Sequence, residues 1–93
     1  MKLPTNYNKL TISDKKDVRK EYIKEQGGMC YFCGGLLDEQ PPNHILDKPV
    51  VKSLFPPKFF DSPVHLHHNH ETGMTIGAVH CYCNAVLWQY YNE

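Results

Sequence analysis

The first regular pattern of apolar and polar positions follows a short polar lead-in. Val18, Tyr22 and Ile23 form a narrow apolar face in a charged segment, and this spacing predicts a helix over residues 14–26. Ser13 is the expected N-cap, and a pair of glycines is expected to end the helix. Its other side is either a solvated face or a set of phosphate contacts, carried by Lys15, Lys16, Arg19, Lys20 and Lys24.

The last third of the chain changes period twice. Alternating apolar and polar residues predict a strand over residues 64–69, a turn over 71–73 and a returning strand over 75–79. Gly77 in the second strand indicates a close backbone approach. From about Cys83 the apolar positions follow a helical period, which predicts a final helix packed on the hairpin. Its apolar residues are Ala85, Val86, Leu87, Trp88, Tyr90 and Tyr91.

The four cysteines favour a metal site over disulfides. A disulfide framework is expected in secreted proteins, whereas the N-terminus shows no apolar export segment and no stretch has the length of a membrane span. We therefore expect a cytoplasmic protein with no membrane partner. Cys30 and Cys33, followed by two glycines, are typical of a zinc knuckle, because two thiolates three residues apart can bind one tetrahedral ion.

The second pair of zinc ligands is expected among residues 80–83. His80 and Cys83 repeat the three-residue spacing of the first pair and would complete a site of three thiolates and one imidazole. Cys81 with Cys83 is the alternative and would give four thiolates. The spacing favours His80 and leaves Cys81 as a spare thiol.

Prolines break any long helix or central strand between residues 36 and 63. The segment is too apolar for a disordered linker, so we expect an ordered insertion with short local elements, either packed on the body or forming a contact surface. A chain of 93 residues has room for one domain with a thin core. The prediction is a single α+β domain over 1–93, with a helix and zinc knuckle over 13–35 and a ββα core over 64–91.

Five histidines fall within residues 65–80, and Asn84 follows closely. A neutral imidazole can accept a proton from water near pH 7, and a bound cation can stabilise charge on a phosphodiester. His67 and His68 point to opposite faces of a regular strand, so we expect a bulge or a strand end between them. Histidine runs also occur as packed or surface residues without chemistry, and the aromatic residues of the last helix either stack on bases or only pack.

The run from His65 to Glu71 and the run from Gly77 to Ala85, after an upstream Cys-x-x-Cys, resemble the phage recombination endonuclease VII family. That family belongs to the HNH, or ββα-metal, nucleases. The likeness covers about residues 13–35 and 64–91. It implies a ββα unit around one catalytic divalent ion, usually Mg²⁺, beside a structural Zn²⁺. The implied zinc ligands are Cys30, Cys33, His80 and Cys83.

The resemblance also implies a role for each residue of the second cluster. His68 matches the general base, and His67 and Asn84 match the residues that bind the catalytic metal. His65 and His70 match flanking histidines that orient water, phosphate or the base. The family often has aspartate where this chain has His67, and the lost negative charge should favour Mn²⁺ or Ni²⁺ over Mg²⁺.

The implied function is that of a metal-dependent DNA endonuclease that nicks or cuts both strands, with branched DNA as one expected substrate. A homodimer would supply two sites, and a phage-encoded chain would act in the host cytoplasm. The net charge is zero, but residues 1–58 hold ten basic and seven acidic residues (+3), and residues 59–93 hold three acids (−3). The alternative is a non-catalytic zinc-binding module, such as a phage factor that binds a host protein or DNA.

Overall fold

The computed structural model describes residues 2–93 as a small α+β domain. Two antiparallel strands form a hairpin, two helices precede the hairpin and another follows it directly. Two single-turn 3₁₀ helices, Tyr7–Lys9 and Lys52–Leu54, lie in the N-terminal arm (residues 2–11) and in the insertion (residues 36–63). The helices and strands are α1 (Ile12–Glu25), α2 (Asn43–Leu46), β1 (Val64–His68), β2 (Thr75–His80) and α3 (Cys81–Tyr91).

The hairpin contains the irregularity that its two adjacent histidines predict. His67 pairs with Gly77, whereas His68 pairs with Thr75, so β2 has one extra residue at this point. Such a bulge bends the strand and increases its twist. The expected irregularity is present and β1 ends at His68, but the extra residue belongs to β2 and not to the strand that carries the two histidines.

Helix α3 begins at Cys81, two residues before the expected start, and the N–H of Cys81 donates to the Pro63 carbonyl at 2.9 Å. Its buried residues are Cys83, Ala85, Val86 and Leu87. The three aromatic residues near its end do not belong to the core: Trp88, Tyr90 and Tyr91 are 40%, 43% and 51% exposed. These rings lie beside the insertion or the knuckle: Trp88 contacts Phe55, the Tyr90 hydroxyl donates to the Pro49 carbonyl, and Tyr91 contacts Phe32.

The start of α1 also differs from the prediction. Thr11, and not Ser13, is the N-cap: Thr11 Oγ1 accepts from the Asp14 N–H at 3.1 Å, and Asp14 Oδ2 accepts from the Thr11 N–H at 3.2 Å. This reciprocal pair is a capping box, which satisfies two N–H groups at once. The predicted apolar face is confirmed, since Val18 and Tyr22 are buried and Ile23 packs against the core.

One side chain after α1 attaches that helix to the hairpin. Gln26 Oε1 accepts from the Ala78 N–H at 2.9 Å, and Gln26 Nε2 donates to the carbonyls of Ala78 and Met29 at 2.9 and 2.6 Å. A Cβ at Gly77 would lie 2.8 Å from Gln26 Oε1 and 3.0 Å from Tyr31 Cβ. The close approach predicted at Gly77 is therefore confirmed.

The insertion and the N-terminal arm both pack on this body. Leu37 and Ile45 of the insertion are 5% and 4% exposed and belong to the common core. The arm lies against the hairpin turn. There the Tyr7 N–H donates to the Gly73 carbonyl at 2.8 Å, and the Thr5 N–H donates to Thr75 Oγ1 at 3.0 Å. Across residues 2–93 no helix has the length and apolar character that crossing a membrane requires.

The capping box gives a direct test of the observed helix start. Thr11→Ala removes the acceptor for the Asp14 N–H and should lower the free energy of unfolding by about 1 kcal/mol. Ser13→Ala is the matched control and should change it by less than about 0.5 kcal/mol. Urea denaturation measures both values, and a larger loss for Ser13→Ala than for Thr11→Ala would contradict the observed cap.

Candidate metal centre and adjoining cavity

Four side chains meet where the knuckle contacts the junction of β2 and α3. The ligand atoms of Cys30, Cys33, His80 and Cys83 all lie within 4.8 Å of one another. His80 Nδ1 is 3.4 Å from Cys33 Sγ and 3.5 Å from Cys83 Sγ. A tetrahedral zinc ion with Zn–S near 2.3 Å and Zn–N near 2.0–2.1 Å sets sulfur and nitrogen ligands about 3.5 Å apart. The cluster therefore fits a structural Zn²⁺ in both its donors and its spacing.

The knuckle is shaped by its own backbone. The Cys30 N–H donates to the Gly35 carbonyl at 2.7 Å, and the Gly34 N–H donates to the Cys30 carbonyl at 3.0 Å. Gly34 has φ of +77°, a left-handed conformation that glycine adopts without a steric penalty. The turn brings both thiols to one side, and the Gly35 N–H lies 3.4 Å from Cys33 Sγ.

The imidazole of His80 is oriented by two backbone carbonyls. Its Nε2 lies 2.8 Å from the carbonyl oxygens of Leu36 and Glu39, so Nε2 carries the proton and donates to them. Nδ1 is then free of a proton and faces the thiols, which is the usual arrangement of a histidine that binds a metal. Cys81 does not belong to the cluster, and burial raises the pKa of its thiol. The structure thus gathers the ligand set that contains His80.

The three clustered thiols affect one another's ionisation. A hydrogen bond from the Cys83 thiol lowers the pKa of Cys30 to about 4. The same contact raises the pKa of Cys83, with burial as the second cause. Burial is the main cause of the raised pKa of Cys33. One thiolate is thus favoured over the other two, and a bound cation is what stabilises all three together.

A second group of side chains surrounds a cavity of about 650 Å³ between α1, β1, α3 and the insertion. His65, His68, His70 and Asn84 all line it. The cavity therefore brings together four of the five residues for which the sequence predicts a catalytic role. The fifth, His67, is 3% exposed and is not among the lining residues.

The Asn84 side chain connects two histidines of β1. His67 Nδ1 donates to Asn84 Oδ1 at 3.2 Å, and Asn84 Nδ2 donates to His65 Nδ1 at 3.1 Å. Burial lowers the pKa of both imidazoles, which favours their neutral forms. His65 and His67 are two residues apart on β1 and so share the face that meets α3. Asn84, the fourth residue of α3, closes this network.

His68 is held between two other rings. The Tyr7 ring stacks on it at 3.8 Å with an interplanar angle of 5°, and His70 stacks at 4.8 Å and 9°. Lys15 Nζ lies 4.2 Å from the centre of the Tyr7 ring. Burial lowers the pKa of His68, and the charges of His70, His67 and Lys15 lower it further. The imidazole is therefore neutral at pH 7 and restricted in orientation.

The charged lining of the cavity has one sign. Lys15 and Arg19 of α1 and Lys58 of the insertion contribute to the wall, and no carboxylate does so among the residues that the structure describes. Of the five basic residues predicted on the outer side of α1, only Lys15 and Arg19 reach the cavity and are partly buried. Such a wall attracts anions.

The sequence did not point to several residues of this site, among them Tyr7, Lys58 and Phe59. Tyr7 lies in a lead-in without periodicity, and Lys58 and Phe59 lie in the proline-rich insertion, yet all three line the cavity. Tyr7 reaches the site through its contact with His68, which is distant in the chain, and Phe59 through its contact with His65, just after the insertion. No local spacing signals such contacts.

No protein-family model matches this chain, and neither a curated protein nor a solved structure matches it. The family likeness therefore rests on the sequence motifs. The order of β1, β2 and α3, with a Cys₃His cluster beside it, is the coarse arrangement that the resemblance implies. Within residues 2–93 this cluster is the one group of three or more His, Cys, Asp or Glu side chains close enough to hold a metal ion.

The metal centre can be tested by zinc content. His80→Ala and Cys83→Ser each remove one ligand of the cluster, so we expect the purified variants to lose their zinc. The thermal midpoint should fall by about 10 °C or more, because zinc binding contributes to folding. Cys81→Ser is the control and should keep the zinc of the unaltered protein. Loss of zinc in Cys81→Ser with retention in His80→Ala would show that the ligand set is wrong.

Proposed function

We propose that this protein is a metal-dependent DNA endonuclease of the HNH type, which hydrolyses phosphodiester bonds with His68 as general base. The observation that carries the proposal is the shared cavity, which His68 and Asn84 line together with Lys15, Arg19 and Lys58. A site that holds a neutral base beside several cations suits an anionic substrate that is attacked by water.

The residues of the cavity would act as follows. The oxygen of a water molecule attacks phosphorus while His68 takes the proton of that water, and the bond from phosphorus to the 3′-oxygen breaks. The leaving oxygen takes a proton from solvent, which gives 5′-phosphate and 3′-hydroxyl ends. The stack of Tyr7 and His70 on His68 limits the rotation of the base. Lys15 and Arg19 would hold the phosphate.

His67 and Asn84 are the proposed ligands of the catalytic ion. Their Nδ1 and Oδ1 atoms are 3.2 Å apart, and an ion there would replace the proton that joins them. A divalent ion at this position supplies positive charge that stabilises the phosphate and the leaving oxygen. A nitrogen and an amide oxygen without a carboxylate suit Mn²⁺ or Ni²⁺ better than Mg²⁺, which prefers several oxygen ligands.

DNA is the proposed partner, and cutting both strands would require a homodimer with two such sites. A second candidate function is a non-catalytic zinc module that binds DNA or a host protein. The observation that favours it is the position of His67, which is buried behind Asn84 and joined to it by a hydrogen bond. Such a contact also suits a residue that only positions α3.

The proposed base can be tested with supercoiled plasmid in the presence of Mn²⁺, Ni²⁺ or Mg²⁺. His68→Ala should lower the rate of nicking by about 100-fold or more, because general base catalysis contributes at least that much. His44→Ala is the matched control, since His44 is exposed on α2 and does not line the cavity. It should leave the rate unchanged. Equal nicking by His68→Ala and the unaltered protein would end the case for this mechanism.

Ion preference gives a second test of the proposed site. His67→Asp restores a carboxylate next to Asn84 and should raise the ratio of Mg²⁺-supported to Mn²⁺-supported nicking by about tenfold or more. His44→Asp is the control and should leave that ratio unchanged. Thermal unfolding of both variants shows that they are folded. A folded His67→Asp protein with an unchanged ratio would place the ion elsewhere.

A further inference from the structure

We infer that the aromatic side of the cavity, formed by Phe55, Phe59 and Trp88, binds one unpaired nucleobase. The strand that is cut would then be single-stranded, or locally unpaired at the cleavage site. This inference deepens the proposed function and rests on it for the statement that the bound strand is a substrate. The binding of a base by these rings can be measured without any cleavage.

The first support is the position of Trp88 on α3. Trp88 follows Asn84 by four residues, so the two side chains lie on the same face of the helix, about 6 Å apart along its axis. Both line the cavity. One nucleotide has a comparable length, so a phosphate beside Asn84 can place its base beside Trp88.

The second support is a continuous series of aromatic contacts along the cavity wall, from His65 to Trp88. The Phe59 ring meets His65 at 4.6 Å, Phe55 lies 4.7 Å from Phe59, and Trp88 lies 5.3 Å from Phe55. These rings pack on one another, yet Trp88 keeps 40% of its surface exposed. Trp88 is not among the buried residues of α3 and does not belong to the main core.

The third support is the combination of charge and size. Lys58 is adjacent to Phe59 in the insertion and lines the same cavity as Lys15 and Arg19, with no carboxylate among the described lining residues. An apolar peptide would leave these cations without partners, whereas a nucleotide offers a phosphate for them and a π face for the rings. The volume of about 650 Å³ lies in the range that a small ligand or one nucleotide fills.

Base stacking is what distinguishes double-stranded from unpaired DNA here. In a duplex both faces of each base are covered by its neighbours, so a base must leave the stack before a protein ring can contact its face. Aromatic side chains bind single strands in this way with little dependence on sequence. The three rings therefore indicate a preference for unpaired DNA, without a preference for one base.

The chain offers a direct probe, because Trp88 is its single tryptophan. Tryptophan fluorescence of the His68→Ala protein, which should bind without cutting, is followed during titration with an oligo-dT strand. An abasic strand of the same length and charge is the matched ligand. We expect quenching by oligo-dT and at least about tenfold weaker binding of the abasic strand. Equal affinity for the two strands, without quenching, would overturn the inference.

Substitutions separate base stacking from a structural role of the ring. Trp88→Leu should weaken the binding of labelled oligo-dT by about tenfold and leave the binding of the abasic strand unchanged. Trp88→Phe keeps a ring and should retain most of the affinity. Tyr31→Leu is the control, since Tyr31 is 59% exposed on the knuckle and does not line the cavity. An equal loss for both strands in Trp88→Leu would mean that the ring only supports the fold, and would refute the inference.

The two proposals fail in different ways. Plasmid nicking that depends on His68, together with equal binding of oligo-dT and the abasic strand, would refute the base site and leave the nuclease standing. Stacking on Trp88 without nicking under any divalent ion would refute the nuclease and support a base-binding cavity. Circular dichroism of each variant shows that the fold is intact.

Discussion

The contact among Cys30, Cys33, His80 and Cys83 is the constraint on which the rest of the structure depends. A two-stranded hairpin is only marginally stable by itself, and a domain of this size buries a small core. A metal ion at the cluster would join the knuckle to the point where β2 becomes α3. Because His80 ends β2 and Cys83 lies in the first turn of α3, the cluster fixes the direction in which α3 leaves the hairpin.

The direction of α3 decides where the proposed chemistry would occur. Asn84 follows Cys83 directly, so the residue that closes the metal cluster also sets the position of the amide between His65 and His67. Gln26 supports the same arrangement from the other side, because its side chain fixes the backbone of Ala78 in β2. The structural site and the cavity are thus two sides of one short segment. Loss of a ligand from the cluster should therefore alter the hydrogen bond between Asn84 and His65, although His65 is not part of the cluster.

The parts of this molecule that sequence reasoning predicted are those with a local signal. Residue spacing indicates the four residues of the metal cluster and the hairpin. His80, which the spacing favoured over Cys81, does belong to the cluster. The carbonyls of Leu36 and Glu39 orient its ring toward the thiols. That contact joins distant residues, and no pattern in the chain shows it.

The features that the sequence did not predict also depend on contacts between segments of the folded chain. The stacking of Tyr7 on His68 and the contact of Phe59 with His65 are tertiary contacts of segments without a periodic pattern. The N-cap was misplaced because Thr11 and Ser13 both have suitable side chains, and only the reciprocal bond with Asp14 decides between them. The sequence left the role of Trp88 open between packing and stacking on bases, and the structure places it at the cavity beside Phe55.

Anomalous diffraction is the most direct test of the claim that a zinc anchor positions a second, catalytic ion. Crystals of the His68→Ala protein with Mn²⁺ and a short DNA strand can be measured at the zinc and manganese absorption edges. We expect zinc at the Cys₃His cluster, manganese between His67 and Asn84, and a phosphate in the adjoining cavity. Manganese found away from His67 and Asn84, or a phosphate bound outside the adjoining cavity, would contradict that arrangement.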